Sequence, residues 1–453
     1  MYETNTFKQK IKLFLTILLP IVITQIGMYA MNFFDTVMSG KAGPEQLAGV
    51  AIGSSIWVPV FTGLNGILMA ISPIVAQLKG GKQEKEIAPA VKQGVYLSIA
   101  LAIVVAVVGF FLLNPVLSLM NIEPEVSHVA KYYLITLGIG IIPLFMFNLL
   151  RSFIDALGLT RISMLIILLT LPTNIFFNYV FIFGKWGFPS LGGIGAGLAS
   201  ALTYWVAFII VAAVIQKVHP LKSYDIFKKW MTPSLKEWWA QLQIGLPIGF
   251  AIFFETSIFA AVTFFMTAFD TSTIAAHQAA INFASFLYML PLSIAFTLTI
   301  AVGYEAGGKR YTDARTYSYI GISLAVLLSI LAGVILYTFD DSVAKLYSSD
   351  PHVIALTKNF IFYAIFFQLS DAVGAPIQGV LRGYKDVNIT LIMAFISYWV
   401  IGLPSGYLLA NYTSFGPYGY WMSLIIGLTV GAVFLLIRML SLQKKMINRK
   451  ARV

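Results

Sequence analysis

Long, unbroken runs of apolar residues dominate this chain, and short polar segments separate them. An α-helix needs roughly 20 residues to cross a bilayer core about 30 Å thick, and the runs are at least that long. Membrane-spanning β-strands would instead give segments of about ten residues with alternating polarity. The pattern therefore predicts helices. Twelve spans are expected, at about 11–38, 47–76, 92–113, 129–153, 162–184, 193–216, 240–268, 278–303, 316–338, 356–380, 389–411 and 418–440.

The composition agrees with an all-α membrane protein. Of the 453 residues, 58% are hydrophobic and 11% are charged. The chain has no cysteine, which excludes disulfides and thiolate metal sites. Lys8, Lys10 and Lys12 precede the first span, as basic residues do in a signal peptide. That span is too long for one, lacks a small-residue cleavage site and contains an acid, so we expect a mature helix.

Positive charge is concentrated on one side of the predicted membrane topology. The net charge is +11. An even number of spans puts both termini on one side, and that side carries 25 of the 30 Lys and Arg residues. This bias marks the cytoplasmic side, so we expect a plasma-membrane protein with both termini in the cytoplasm. The basic excess suits anionic lipid headgroups and does not predict a nucleic-acid partner.

The second half of the sequence repeats the first. Each copy holds six spans, an even number, so both copies enter the membrane from the same side and form parallel repeats. Transporters built in this way bind their substrates near the membrane midplane. The matching pairs are Leu19-Pro20 with Leu246-Pro247 and Gly80-Gly81-Lys82 with Gly307-Gly308-Lys309, both at a spacing of 227, Gly158 with Gly383 at 225, and Gly195 with Gly419 at 224.

The longest polar segment, at about 217–238, is predicted to link the two halves in the cytoplasm. The predicted domains are therefore 1–222, an amino-terminal six-helix lobe, and 223–453, a carboxy-terminal six-helix lobe. We expect the linker to hold a short amphipathic surface helix, with Trp238 and Trp239 at the interface.

Three acidic residues lie inside the predicted spans: Asp35, Glu255 and Asp371. A carboxylate at the centre of a bilayer costs roughly 2.5–3.5 kcal/mol on insertion scales. The sequence places no basic residue inside an apolar segment to pair with them. Such acids usually face a wet interior and bind ions or substrate. The helical rise puts Glu255 and Asp371 near the midplane, where the two could share a cation or a proton.

Polar residues on other spans could complete a site around Asp35. Asn174 and Asn178 are one turn apart on span five and therefore face the same way, and Ser200 lies on span six. Hard cations prefer several oxygen ligands, so an acid with two amides and a hydroxyl predicts a Na⁺ site. For either asparagine alone, interhelical hydrogen bonding worth about 0.6 kcal/mol is the favoured interpretation.

Span eight carries a second polar row. Gln278 and Asn282 are one turn apart, and Tyr288 lies further along the same span. We interpret this row, with the three acids, as the surface that contacts substrate. Other charged residues near span ends, Asp155 beside Arg151 and Glu305 beside Lys309, are interpreted as surface charges.

Together, these features resemble the MATE (multidrug and toxic compound extrusion) family. The features are two parallel sets of six spans, a Leu-Pro opening each set, and acids on spans one, seven and ten. The resemblance covers essentially the whole chain and is closest to the NorM-like branch. It implies a V-shaped pair of six-helix bundles with a central cavity. It also implies export of cationic and amphiphilic drugs in exchange for Na⁺ or H⁺, by alternating access.

The resemblance implies that the residues around Asp35 form an amino-terminal cation site. Its members would be Asp35, Asn174, Asn178 and Ser200, next to Ala199. Many relatives have a second aspartate where Asn178 stands and a threonine where Ser200 stands. The lower charge in this chain argues against strong coupling to protons and leaves Na⁺ open.

The resemblance also implies a carboxy-terminal cation site at Glu255 and Asp371, with Tyr288 nearby, so Na⁺ could bind at either site. Relatives can have a tyrosine one turn before the aspartate, where this chain has Phe367, so one oxygen ligand is missing. We expect a monomer in lipid that handles small-molecule drugs and needs no cofactor beyond the coupling ion.

Three other functions remain to be weighed against a drug exporter. A lipid or oligosaccharide-lipid flippase would be expected to have a more cationic cavity for phosphate headgroups. A membrane enzyme would need a large catalytic loop or a His/Asp constellation, and the predicted loops are short, so we expect no enzyme. A channel would favour equivalent polar rings in the two halves, yet Glu255 corresponds to Met28 and Asp35 to Val262 at the repeat spacing.

Overall fold

The computed structural model describes residues 3–120, 122–228 and 231–451, and within these ranges the chain has no β-strand. Two irregular elements interrupt the α-helices: a four-residue 3₁₀-helix, Leu221–Tyr224, and a π-helical segment, Phe395–Gly402. The α-helices are α1 Phe7–Ala42, α2 Pro44–Leu68, α3 Ile71–Gly80, α4 Glu84–Ser118, α5 Pro124–Gly138, α6 Ile141–Ala156, α7 Thr160–Phe183, α8 Gly193–Lys217, α9 Leu235–Met266, α10 Thr271–Gly307, α11 Tyr311–Thr338, α12 Asp340–Lys345, α13 Pro351–Gly383, α14 Asn388–Ala394, α15 Leu403–Tyr412 and α16 Tyr418–Ala451.

The helices confirm an all-α membrane protein. In the described ranges, eleven helical segments are long and apolar enough to cross a membrane. A twelfth span is completed if α5 and α6, which bend by 54° at their junction, are taken together. Gly140 lies in this bend, where a Cβ atom would come within 2.6 Å of the Ala201 Cα. The bend thus brings the chain close to α8, and the expected single helix over 129–153 is broken at this point.

The chain divides into two compact units. The amino-terminal unit contains Leu19–Gly245, and the carboxy-terminal unit contains Leu246–Val453 together with the segment that ends at Leu18. Both divisions fall at the repeated Leu-Pro motifs, inside α1 and α9 respectively. The first turns of each helix therefore belong to the unit of the other repeat. The predicted domain boundary at 222/223 precedes α9 and stays a prediction.

The repeat is visible in the backbone as a shared way of ending a helix. Lys82 and Lys309 are both left-handed, with φ of 57°. After each of them, a backbone N–H returns to a carbonyl five residues earlier, at 2.9 Å in both copies. Lys385, with φ of 60°, and Gly158, with φ of 80°, form a second such pair, again at a spacing of 227. The expected match of Gly158 with Gly383 is therefore wrong by two residues.

Gly195 and Gly419 open the last span of each repeat and allow a close backbone approach. A Cβ atom on Gly195 would lie 2.5 Å from the carbonyl oxygen of Phe181. On Gly419 it would lie 2.6 Å from the backbone nitrogen of Ala410. Only a residue without a side chain lets α8 pack against the end of α7, and α16 against the end of α15, at this distance.

The linker differs from the expected amphipathic helix. Lys229 and Trp230 lie outside the described residues, and the remainder holds only the 3₁₀-helix and turns before α9 begins. Gln93, buried on α4, holds the start of α9 in place. Its Oε1 accepts hydrogen bonds from the Ser234 backbone and from Trp238 Nε1, both at 3.0 Å. Polar contacts within the amino-terminal unit thus fix this segment.

We predict that Gly195→Ala lowers the thermal stability of the purified protein. The added Cβ meets backbone rather than a movable side chain, and such overpacking costs about 1–3 kcal/mol. Gly109→Ala on α4 is the matched control, because nothing lies within 4 Å of its added Cβ and alanine favours a helix over glycine by about 0.5–1 kcal/mol. Thermal unfolding in detergent measures both; equal midpoints would contradict this account of the helix contact.

Candidate functional site

The structure brings Asp35 together with three of the polar residues named from the sequence. Asp35 Oδ1 accepts hydrogen bonds from Asn174 Nδ2 at 3.1 Å and from Asn178 Nδ2 at 2.5 Å. Asp35 Oδ2 accepts one from Ser200 Oγ at 3.0 Å. Helices α1, α7 and α8 supply these side chains, so the cluster lies wholly within the amino-terminal unit. Asp35 is half-buried, and three donors stabilise its carboxylate.

The two asparagines of this cluster also form a hydrogen bond with each other. Asn178 Nδ2 also donates to Asn174 Oδ1 at 3.2 Å. Asn178 Oδ1, in contrast, is buried and has no hydrogen-bond partner. An unpaired buried carbonyl oxygen costs about 1–3 kcal/mol, and a cation would remove that cost. The carboxylate, the two amide oxygens and the Ser200 hydroxyl form the kind of oxygen set that hard cations prefer.

Two tyrosines missed in the sequence lie near this cluster. Tyr133 and Tyr204 both interact electrostatically with Asp35, and the Tyr133 hydroxyl is 3.3 Å from Ser54 Oγ. Thr203, one turn after Ala199 on α8, donates to the Ala199 carbonyl at 2.7 Å. That hydroxyl is used within its own helix.

Glu255 and Asp371 lie together in the carboxy-terminal unit. Glu255 is 9% exposed on α9, and Asp371 is 6% exposed on α13. The Tyr288 hydroxyl on α10 donates to Glu255 Oε1 at 2.8 Å. The carboxyl groups of Glu255 and Asp371 are close enough to repel each other. Asp371 lines a small pocket that Gln378 and Tyr398 also line.

The π-helical segment Phe395–Gly402 forms one wall of this pocket through Ser397 and Tyr398. Pro404, two residues after the segment ends, has no N–H to donate and crowds the preceding turn. Helices often widen into π-geometry at functional sites. Ser397 Oγ is buried without a partner, so the wall offers a further free oxygen to the pocket. The proline was the one sequence signal that could have identified this wall.

Arg382 corrects the expectation that no basic residue lies inside an apolar segment. It is 4% exposed near the end of α13, and its Nη2 donates to Gln378 Oε1 at 3.2 Å. The Arg382 charge also acts on Glu255. Side chains on a helix lean towards its amino terminus, and the bond to Gln378, one turn earlier, shows that Arg382 reaches back along α13 into the unit.

The charges interpreted as superficial are also more buried than expected. Arg151 Nη1 and Asp155 Oδ2 are 3.8 Å apart, with side chains 11% and 13% exposed. Glu305 is 1% exposed, and its partner is Arg310, not Lys309. In each pair the acid and the arginine are four or five residues apart, so their charges cancel locally. This cancellation offsets the cost of burying them.

The remaining predicted positions are placed but not joined to the acids. Gln278 is half-buried and Asn282 is exposed, one turn apart on α10. In the described residues, neither forms a hydrogen bond with Asp35, Glu255 or Asp371, and their contact with substrate stays a prediction. Phe367 packs against Phe259 and Trp421, with ring centroids 5.6 and 6.1 Å apart, so this position contributes packing.

Sequence comparison identifies both halves of the chain with one family. The MatE family profile matches residues 20–180 and again residues 247–408. The two matches begin 227 residues apart, at the proline of each Leu-Pro motif, which is the spacing read from the sequence. The repeat is therefore two copies of the same conserved module.

Bacterial relatives align over the whole chain. A protein of Oceanobacillus iheyensis, named probable multidrug resistance protein NorM, is 60% identical over 445 residues, covering 98% of this chain and 100% of its own. The protein of the same name in Bacillus subtilis is 56% identical over 445 residues, covering 98% of each chain.

Solved structures share the fold at lower identity. The eukaryotic MATE transporter AtDTX14 matches with a TM-score of 0.87 and 22% identity, over 98% of this chain and 99% of its own. A MATE structure in the straight conformation matches with a TM-score of 0.89 and 18% identity, over 98% and 100%. With the family profile on both repeats and relatives at this identity, the chain belongs to the MatE family of multi-pass membrane transporters and is not an enzyme.

Proposed function

We propose that this chain exports cationic and amphiphilic drugs in exchange for Na⁺ or H⁺. It would do so by alternating access in the plasma membrane, with both termini in the cytoplasm. The relatives' names support drug resistance as the outcome, and the 25 basic residues on one side of the topology support the orientation. The observation that carries the proposal is the pair of buried carboxylates, Glu255 and Asp371, which lie close together in one unit, with Asp371 lining a small pocket.

Two carboxylates in one apolar unit favour a bound cation. Burial disfavours both charges, and their mutual repulsion adds to that cost. A Na⁺ ion, a proton or a cationic drug each relieves it, and only one can occupy the same space at a time. Competition of this kind gives exchange. A bound drug shifts the conformational balance only if its affinity differs between the inward- and outward-open states.

The amino-terminal cluster suits Na⁺ as the coupling ion. Asp35 provides the charge, and Asn178 provides an oxygen that no protein group uses. The amides add ligands without adding charge, so the formal charge of the cluster is −1 and one monovalent ion neutralises it. The coupling ion is transported in this scheme and is not a resident cofactor.

The buried arginines do not favour a flippase for phosphate-bearing lipids. Such a transporter would be expected to have cationic groups lining its cavity. Arg151 is directed at Asp155 and Arg382 at Gln378 and the nearby Glu255. Each guanidinium therefore serves an acidic or amide partner in its own unit. This arrangement supports the handling of positive passengers.

We predict that Asp371→Asn and Glu255→Gln each reduce ethidium efflux strongly. Losing a charged partner costs about 1.5–3 kcal/mol, which corresponds to about a 10- to 100-fold weaker binding of the cation. Ethidium efflux from proteoliposomes, with equal amounts of folded protein, measures the effect. Glu125→Gln, an exposed acid on α5, is the control and should retain wild-type efflux. Wild-type rates in both buried variants would remove the exchange mechanism.

We predict that an inward Na⁺ gradient drives ethidium efflux at equal pH on both sides. Asp35→Asn should raise the Na⁺ concentration for half-maximal efflux by about tenfold or more, because one charged ligand is lost. A separate experiment imposes a pH gradient without Na⁺. Efflux that responds to the pH gradient alone, with no Na⁺ dependence in the wild type, would assign the coupling to protons instead.

We predict that Tyr288→Phe weakens cation binding while preserving the fold. The substitution removes only the hydroxyl that donates to Glu255 at 2.8 Å, and a hydrogen bond to a charged group contributes about 1.5–3 kcal/mol. The half-saturating cation concentration for efflux should change, with an unaltered thermal unfolding midpoint within about 2 °C. An unchanged half-saturating concentration would exclude Tyr288 from the site.

A further inference from the structure

Arg382 is a buried cation without a carboxylate partner of its own. Its only hydrogen bond in the described structure goes to the Gln378 amide, and its Nε is buried with no partner. A buried charge of this kind is costly unless an opposite charge lies near. The charge of Arg382 interacts with that of Glu255, and Glu255 in turn is close enough to Asp371 for the two carboxylates to repel each other. The charge of the Arg382 guanidinium therefore contributes to the electrostatics of the candidate cation site.

Arg382 determines the orientation of the Gln378 side-chain amide. Its Oε1 accepts from Arg382 Nη2, so the amide nitrogen and its two hydrogens are left for other partners. Gln378 also lines the pocket of Asp371. The arginine thereby orients an amide that forms part of the wall of this pocket, on the same helix as Asp371.

The repeat provides an internal comparison. At the spacing of 227, Gln378 corresponds to Arg151 and Arg382 to Asp155. In the first repeat the two positions hold a pair that neutralises itself, 3.8 Å apart. In the second repeat they hold an amide and an unpaired positive charge. The same place on the scaffold is therefore neutral in the unit that contains Asp35, and positive in the unit that contains Glu255 and Asp371.

We propose that Arg382 is a positioning residue that sets the charge capacity of the carboxy-terminal site. Glu255, Asp371 and Arg382 together carry a formal charge of −1. One monovalent cation neutralises this cluster, whereas two carboxylates alone would accept two monovalent cations or a dication. Arg382 acts on the passenger through Gln378 and through its field, and it does not contact the passenger. The site then selects monovalent over divalent passengers.

This inference rests on the proposed cation exchange, and its test distinguishes the two. Arg382→Met removes the charge and keeps most of the side-chain length; Arg382→Lys keeps the charge. Purified variants are reconstituted in proteoliposomes. Efflux of ethidium, a monocation, is compared with efflux of propidium, a dication of similar shape. The number of cations that enter per ethidium exported is also measured. It follows from the cation gradient at which a known opposing ethidium gradient gives no net transport.

The wild type should prefer ethidium over propidium. Arg382→Met should shift the ratio of their transport efficiencies towards propidium by about tenfold, the effect of removing one nearby charge. It should also lower the half-saturating cation concentration. Arg382→Lys should restore the wild-type preference, which a merely structural role would not explain. Arg438→Gln, which removes an exposed arginine paired with Asp386 at 2.7 Å in the same unit, should change neither ratio.

Several outcomes would overturn the inference. An unchanged ratio and unchanged cation stoichiometry in folded Arg382→Met would do so, as would a wild type that exports propidium as well as ethidium. The wild-type comparison stands even if the methionine variant fails to fold. If the wild type shows no cation coupling, and Asp371→Asn keeps full efflux, the proposed exchange itself fails.

Discussion

The structure depends on one constraint: negative charge must be kept inside an apolar helical bundle. Helices satisfy their own backbone groups in a membrane, so the cost that remains to be met is that of the buried acids. The amino-terminal unit meets it with hydrogen-bond donors around Asp35. The carboxy-terminal unit meets it with the Tyr288 hydroxyl, which donates to Glu255, and with the charge of Arg382, which acts on Glu255. Neither arrangement gives one of these three acids an ion-pair partner of its own, and under the proposed function a cation would take that place.

The two repeats share a backbone and differ in chemistry. Left-handed residues end matching helices, and glycines at Gly195 and Gly419 permit matching close contacts. These features depend on backbone geometry, which tolerates few substitutes. The buried polar side chains are not under that restriction. One scaffold position can hold Asp155 in the first copy and Arg382 in the second, and the scaffold thereby carries two unlike sites.

Most of the fold could be predicted because its signals are local. Long apolar runs, an even number of spans and a spacing of 227 need no knowledge of tertiary contacts. The Asp35 cluster could also be predicted, since Asn174 and Asn178 face the same way by helical geometry and a single acid needed donors. The bend between α5 and α6 was harder, because it depends on how closely Gly140 approaches α8.

What the sequence could not provide was the direction of long side chains. Arg382 lies near the end of α13, where a basic residue ordinarily reaches the membrane surface, and only its burial and its bond to Gln378 show that it turns inward. Lys385 is hard to recognise from the sequence for a related reason: glycine usually takes left-handed backbone, and Gly383, two residues earlier, gives the more obvious match to Gly158. For both residues, the usual behaviour of the residue type predicts the wrong structure, and the position in the repeat is the better guide.

The two units reach the same formal charge by different routes, and this matters for exchange. With every group ionised, Asp35 and the Arg151–Asp155 pair sum to −1, as do Glu255, Asp371 and Arg382. If each site accepts one positive charge, a coupling ion and a monocationic drug neutralise it equally. Replacing one by the other then changes the electrostatic free energy of the inward- and outward-open states little. Differences in affinity between the inward- and outward-open states then depend on the positions of hydroxyl and amide groups such as those of Tyr288 and Gln378. A change in helix position would move these groups relative to the acids.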